Sequence, residues 1–180
     1  MSLAKWRELV GQQADRGSAK VTFYPGLETL PVLIAQLKSV RNAWVAWPAM
    51  IEEAARSRLM EVPIDRLLLL DPQSCFLPAF AAAYDAPAIK FAEGIRDATR
   101  SADYAHISVR WFDGPIFSVI LADPRDEMGW ARIEIPIPYH PTKARPSLRF
   151  GKRDYPGLFR VLTDAYNGMW EKGREPRKTS

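Results

Sequence analysis

A chain of 180 residues is long enough to bury one core without disulfide or metal staples, and 47% hydrophobic with 26% charged residues excludes both a disordered polymer and a membrane-embedded one. No apolar run approaches the roughly 20 residues of a membrane span, and with no signal-peptide pattern at the N-terminus a cytoplasmic protein is expected. The net charge of +4 and a pI near 9.3 allow contact with phosphates, and the single cysteine, Cys75, excludes an internal disulfide and reads as a buried structural thiol.

Leu3, Trp6, Leu9 and Val10 share one face of a helix ending near Gly17, and Lys20 to Tyr24 follows as a strand. After the Pro25-Gly26 turn, Leu30, Leu33, Ile34 and Leu37 repeat at helical spacing, with Pro31 in the first turn, where its missing N–H costs little. Asn42 to Trp47 reads as a buried strand, and Pro48 to Leu59 as a helix of good helix formers. Ile64 to Leu70 is a continuous apolar run ending in Asp71-Pro72, the pattern of a central strand covered on both faces. Phe76 to Tyr84 and Ala88 to Ala102 read as two helices separated by Pro87.

From Tyr104 onward the period shortens to two. His106, Ser108 and Arg110 alternate with Ile107, Val109 and Trp111, and Ile116 to Ala122 and Trp130 to Ile137 follow across short polar loops. Three consecutive strands in antiparallel pairing are expected, with Pro136, Pro138 and Pro141 forcing the end of the third to an edge or out of the sheet. Ser147 to Phe150 adds a short strand. Leu158, Phe159, Leu162, Tyr166, Met169 and Trp170 supply the apolar face of a closing helix. The order predicts one α/β domain over residues 1–172, a mixed β-sheet flanked by helices on both faces, and a flexible basic tail over 173–180.

Local chemistry is sparse. No glycine-rich nucleotide loop, P-loop or nucleophile-elbow motif follows a strand, and two histidines with one cysteine make no zinc motif, so no cofactor and no metal are expected. His106 has the residue type for general acid–base work, with Asp71 or Asp123 at strand ends to orient it. Lys143, Arg145, Arg149, Lys152 and Arg153 form the densest basic stretch, beside Tyr139, Phe150 and Tyr155; with Arg110 and Arg132 they are candidates for phosphate or nucleic-acid contact. Trp6, Trp44 and Trp170 lie at core positions; Trp130 beside the polar loop has no clear assignment.

Lys20 to Pro25, the Leu67 to Pro72 segment, the strand pair around Val109 to Asp123, and Arg145-Pro146 followed by Phe159 to Trp170 together resemble a phospholipase D-like half-domain, across most of the chain and closest to divergent bacterial members. Active members of that family carry His-x-Lys with an aspartate beyond four further residues, the His as nucleophile and the Lys on the phosphate, and commonly build one site from two halves. Laid on this chain, the motif places Asp123 at the aspartate and Gly129 in the following turn, but Ile116 and Ser118 at the His and Lys positions. A second placement on His140 and Lys143 has the spacing of opposite strand faces and prolines on either side. The resemblance implies a phospholipase D-like scaffold with a degenerate site: a non-catalytic binding or regulatory module for nucleic acid, a nucleotide or a protein partner. The alternatives are a phosphodiesterase or nuclease completed across a homodimer through His106 or His140 with Asp123, and a structural subunit of a larger bacterial complex.

Overall fold

The computed structural model describes residues 21–25, 30–50, 56–58, 61–105, 107–135, 137 and 145–176. The expected N-terminal helix, half of the expected helix over 48–59, and His106, His140 and Lys143 lie outside them. Seven strands form one mixed sheet: β1 (Val21–Tyr24), β2 (Ala43–Trp47), β3 (Ile64–Leu70), β4 (Ser108–Phe112), β5 (Val119–Ala122), β6 (Trp130–Glu134) and β7 (Ser147–Gly151), in the spatial order β1-β7-β6-β5-β2-β3-β4. The helices are α1 (Leu30–Lys38), α2 (Leu77–Ala83), α3 (Ala88–Tyr104) and α4 (Pro156–Lys172). None is long and apolar enough to cross a membrane, among the described residues.

The two parallel pairings, β2 with β3 and β3 with β4, are each joined by a crossover, as parallel strands require. All other pairings are antiparallel. The expected run of three antiparallel strands therefore fails at its first step, because β4 pairs with β3 and β5 pairs with β2 and β6. Residues 113–118 carry the chain past two strands; three inter-strand spacings come to about 14 Å, within the roughly 20 Å that six extended residues span. This crossing also shortens the expected strand over Ile116 to Ala122 to Val119–Ala122.

Register assigns the faces. Trp44 lies beside Arg66 and Leu121, and Trp44 stacks on Tyr166 of α4 with centroids 5.5 Å apart. On the opposite face Trp111 donates from Nε1 to Thr99 Oγ1 of α3 at 3.0 Å. Helices thus cover both faces, which is why Leu67 to Leu70 are all fully buried. Helix α4 opens on Pro156 and buries Phe159, Tyr166 and Met169, while Leu158 is exposed, so its apolar face is narrower than the sequence pattern suggests. Cys75 is exposed, not buried: it sits in the turn after β3, where Ser74 takes the interior position. Trp130 is buried beneath the Arg149 guanidinium, 4.6 Å from its ring.

The C-terminal segment is tied down beyond the last helix. Arg174 forms an antiparallel bridge with Trp111 and donates to both carboxylate oxygens of Asp71, at 2.7 and 3.0 Å. Of the segment 173–180 expected as a tail, Arg174 lies along the outer edge of β4, and residues 177–180 lie outside the described residues.

Candidate functional site

Because β5 runs antiparallel to β2, the carboxyl ends of β2 and β3 share one end of the sheet with the start of β5, the end of β6 and the start of β7. Ser118 lies opposite Glu134, with the Glu134 N–H donating to the Ser118 carbonyl at 3.1 Å, and Glu134 pairs with Ser147, which pairs with Tyr24. In α/β sheets this end is where ligands most often bind.

Several of the polar groups gathered there bond one another. Tyr84, at the end of α2, donates to Glu134 Oε1 at 3.4 Å, and its oxygen is 3.3 Å from Ser118 Oγ. Arg145 donates from Nη1 to the same Glu134 oxygen at 3.2 Å and from Nη2 to the Ala83 carbonyl, and its guanidinium lies 3.6 Å from the Tyr84 ring centroid. On the same face Arg132 donates to Ser147 Oγ at 2.8 Å and lies 4.3 Å from the Tyr24 ring centroid. Ser118, Arg132, Arg145 and Ser147 are all buried.

Burial sets the protonation of this cluster. It pushes the Tyr84 hydroxyl up to about 12, with the Glu134 charge acting in the same direction, so Tyr84 is a proton donor near neutrality. Burial also raises Glu134, opposed by the Arg145 guanidinium, and lowers Arg132. Ser118 therefore faces a protonated phenol, and the nearest carboxylate is engaged by an arginine. Nothing among these partners serves as a base for the Ser118 hydroxyl.

The motif positions split between the two ends of the sheet. Ile116 is buried and apolar at the Ser118 end. Asp123 lies past the far end of β5, with a positive φ of 45°, where its Oδ1 accepts the backbone N–H groups of Arg41 at 2.9 Å and Asn42 at 3.0 Å. Gly129 closes the same turn; a Cβ there would lie 2.5 Å from the Asp123 carbonyl oxygen. Asp71 is engaged by Arg174 and sits at the opposite end from Asp123, so the two aspartates do not share a site.

Among the described residues the basic candidates are not all brought onto one surface, although Arg132 and Arg149 are cross-strand neighbours on β6 and β7. Arg110 donates to the Trp170 carbonyl at 2.7 Å, Arg145 is buried at one end of β7, and Lys152 bonds the Pro124 carbonyl at 3.1 Å at the other end, beside Arg153. The pleat of β7 turns Arg149 onto Trp130. Tyr84 and Glu134 are the members of the cluster that sequence reasoning missed. The available signal was the Trp-Ala-Arg-Ile-Glu strand, which places two charged residues on one face of a buried strand.

No family model and no curated protein matches the chain. Solved structures match it in fold. Nuc, a phospholipase D family member from Salmonella typhimurium, aligns with a TM-score of 0.59 at 13% identity over 89% of this chain and 99% of its own. NucT from Helicobacter pylori aligns at 0.53 and 10% identity over 88% and 100%. TrmBL2, an archaeal chromatin protein whose structure shows a mode of DNA binding, aligns at 0.52 and 13% identity over 96% of this chain and 60% of its own. Full-length coverage of two such structures, with the mixed seven-stranded sheet, establishes that this chain has the phospholipase D-like fold.

Proposed function

We propose that this domain is a non-catalytic phospholipase D-like module that binds in a nucleic-acid-related process. The observation that carries the reading is the state of Ser118: at the position where the resembled family needs a phosphate-binding lysine, its hydroxyl is buried against Tyr84 beside the Glu134–Arg145 pair. Ile116, at the nucleophile position, offers no lone pair. A function can be lost from a fold while the scaffold is retained for recognition. Nucleic acid is the ligand we favour, because the chain is basic and a chromatin protein with a described DNA-binding mode shares its fold.

Binding of labelled single- and double-stranded DNA and RNA across a salt series tests the recognition half, with affinity expected to fall steeply as salt rises. Absence of binding at low salt would overturn it. Hydrolysis of a generic phosphodiester, compared between the parent and a His106→Ala, His140→Ala variant, tests the other half. A rate above background that the variant loses would make the protein an enzyme.

A further inference from the structure

The opposite end of the sheet carries a cavity of about 380 Å³ that the reading above does not use. Arg41, Asn42 and Trp44 line it from the start of β2, Ile64 and Asp65 from the start of β3, and Arg125 from the turn after β5. Asp123 builds this place. Its carboxylate holds the Arg41 and Asn42 N–H groups, its own N–H donates to the Asn42 carbonyl at 2.9 Å, and its carbonyl accepts the Asp126 N–H at 2.8 Å. The loop bearing Arg41 and the turn bearing Arg125 are thereby fixed to each other.

These two arginines differ in use from those committed within the fold. Arg110, Arg132, Arg145 and Arg174 are each committed to hydrogen bonds inside the fold. Arg41 and Arg125 are exposed, and among the described residues neither side chain is engaged in a hydrogen bond or ion pair. Arg125 lies 5.9 Å from the centroid of Trp44, a ring held in place by Tyr166 and by the Arg66 guanidinium at 4.4 Å. The one carboxylate on the rim, Asp65, has the Arg66 Nε within 4.0 Å.

We propose that this cavity binds the phosphate of a single nucleotide unit. Arg41 and Arg125 take the phosphate oxygens, for which guanidinium geometry is suited. Asn42 and Asp65 present amide and carboxylate groups to the edge of a base, and Trp44 and Ile64 give an apolar wall. The volume is at the small end of ligand pockets, which run from about 300 to 1,000 Å³, and suits one nucleotide better than a duplex. This site is at the far end of the sheet from Ser118, and it stands whether or not the domain lacks catalysis.

Calorimetric titration at low salt with AMP, GMP, CMP and UMP, with adenosine, and with a tetranucleotide bearing either a 5′-phosphate or a 5′-hydroxyl tests it. We expect phosphate-dependent binding that an Arg41→Ala, Arg125→Ala variant weakens by about tenfold or more, while an Arg96→Ala, Arg160→Ala variant, changed at exposed positions of α3 and α4, binds like the parent. Both arginines are exposed, and circular dichroism checks that the variant is folded. Binding of a mononucleotide assigns a free nucleotide; binding of the 5′-phosphorylated strand alone, with the same dependence on both arginines, assigns a strand end. Adenosine binding as well as AMP, equal losses in the two variants, or no binding by any probe would overturn the proposal.

Discussion

Glu134 and Arg145 form an ion pair at 3.2 Å in which the arginine side chain is 1% and the glutamate 17% exposed. Arg145→Ala leaves the Glu134 carboxylate buried without that partner, a change that typically costs about 3–5 kcal/mol. Replacing both residues together, Arg145→Met with Glu134→Leu, is expected to recover most of that loss, since a buried pair is often matched by apolar side chains of similar volume. Urea unfolding of the three variants measures both effects; an Arg145→Ala loss within error of zero would contradict the buried-pair account.

The same carboxylate gives the protein a pH signature. Burial raises Glu134 above its ordinary value of 4.5 despite Arg145, so the folded state holds the proton more tightly than the unfolded chain. Its contribution is therefore most favourable below the ordinary value and declines as pH rises through the raised folded value, then stays flat. Tyr84 repeats the pattern at alkaline pH, with stability falling between 10 and about 12. The difference in unfolding free energy between the parent and Glu134→Gln, followed from acid to neutral pH, should slope downward with rising pH. A slope of the opposite sign would mean that Arg145 outweighs burial.

The elements were legible in the sequence where one period or one run dominates: the Leu67 to Leu70 run gives a central strand, and the alanine-rich stretches on either side of Pro87 give α2 and α3. Pairing was not, because nothing local to β4 records that its outer edge is taken by Arg174 or that residues 113–118 step over two strands. The basic stretch illustrates the same limit at the level of a site. Arg145 and Lys152 lie beyond opposite ends of β7, and Arg145, Arg149 and Lys152 are each engaged within the fold, so sequence density did not become a surface. The Ser118 cluster joins residues far apart in the chain, Tyr84 with Glu134 at a separation of 50 and Ala83 with Arg145 at 62, and only the fold brings them together.

The Asp71–Arg174 pair predicts how the C-terminal segment behaves. Asp71 is nearly buried, and both its carboxylate oxygens are engaged by one guanidinium, while Trp111 and Arg174 exchange two backbone hydrogen bonds of 2.8 Å. Arg174→Ala is expected to lower global stability by about 1–3 kcal/mol, because it leaves the nearly buried Asp71 carboxylate with the Gln73 N–H in place of a bidentate guanidinium. It should also speed amide exchange at Trp111, whose N–H bonds the Arg174 carbonyl. Unchanged protection at Trp111 would mean that the backbone bridge holds without the ion pair.

Asp123 ties the turn after β5 to the loop before β2. Its carboxylate accepts two loop N–H groups and its backbone adopts φ of 45°, a conformation that aspartate and asparagine tolerate better than alanine. Asp123→Asn keeps the side-chain acceptor and the backbone tolerance, so it should unfold within about 1 kcal/mol of the parent, whereas Asp123→Ala loses two acceptor contacts and adds strain, for a loss of about 2–4 kcal/mol. Gly129→Ala should fall with the second group, since its Cβ would meet the Asp123 carbonyl oxygen, a backbone atom that cannot move aside without opening the turn. Thermal or urea unfolding of the three variants gives the ranking, and equal losses for Asp123→Asn and Asp123→Ala would show that the negative charge, and not the acceptor geometry, maintains the turn.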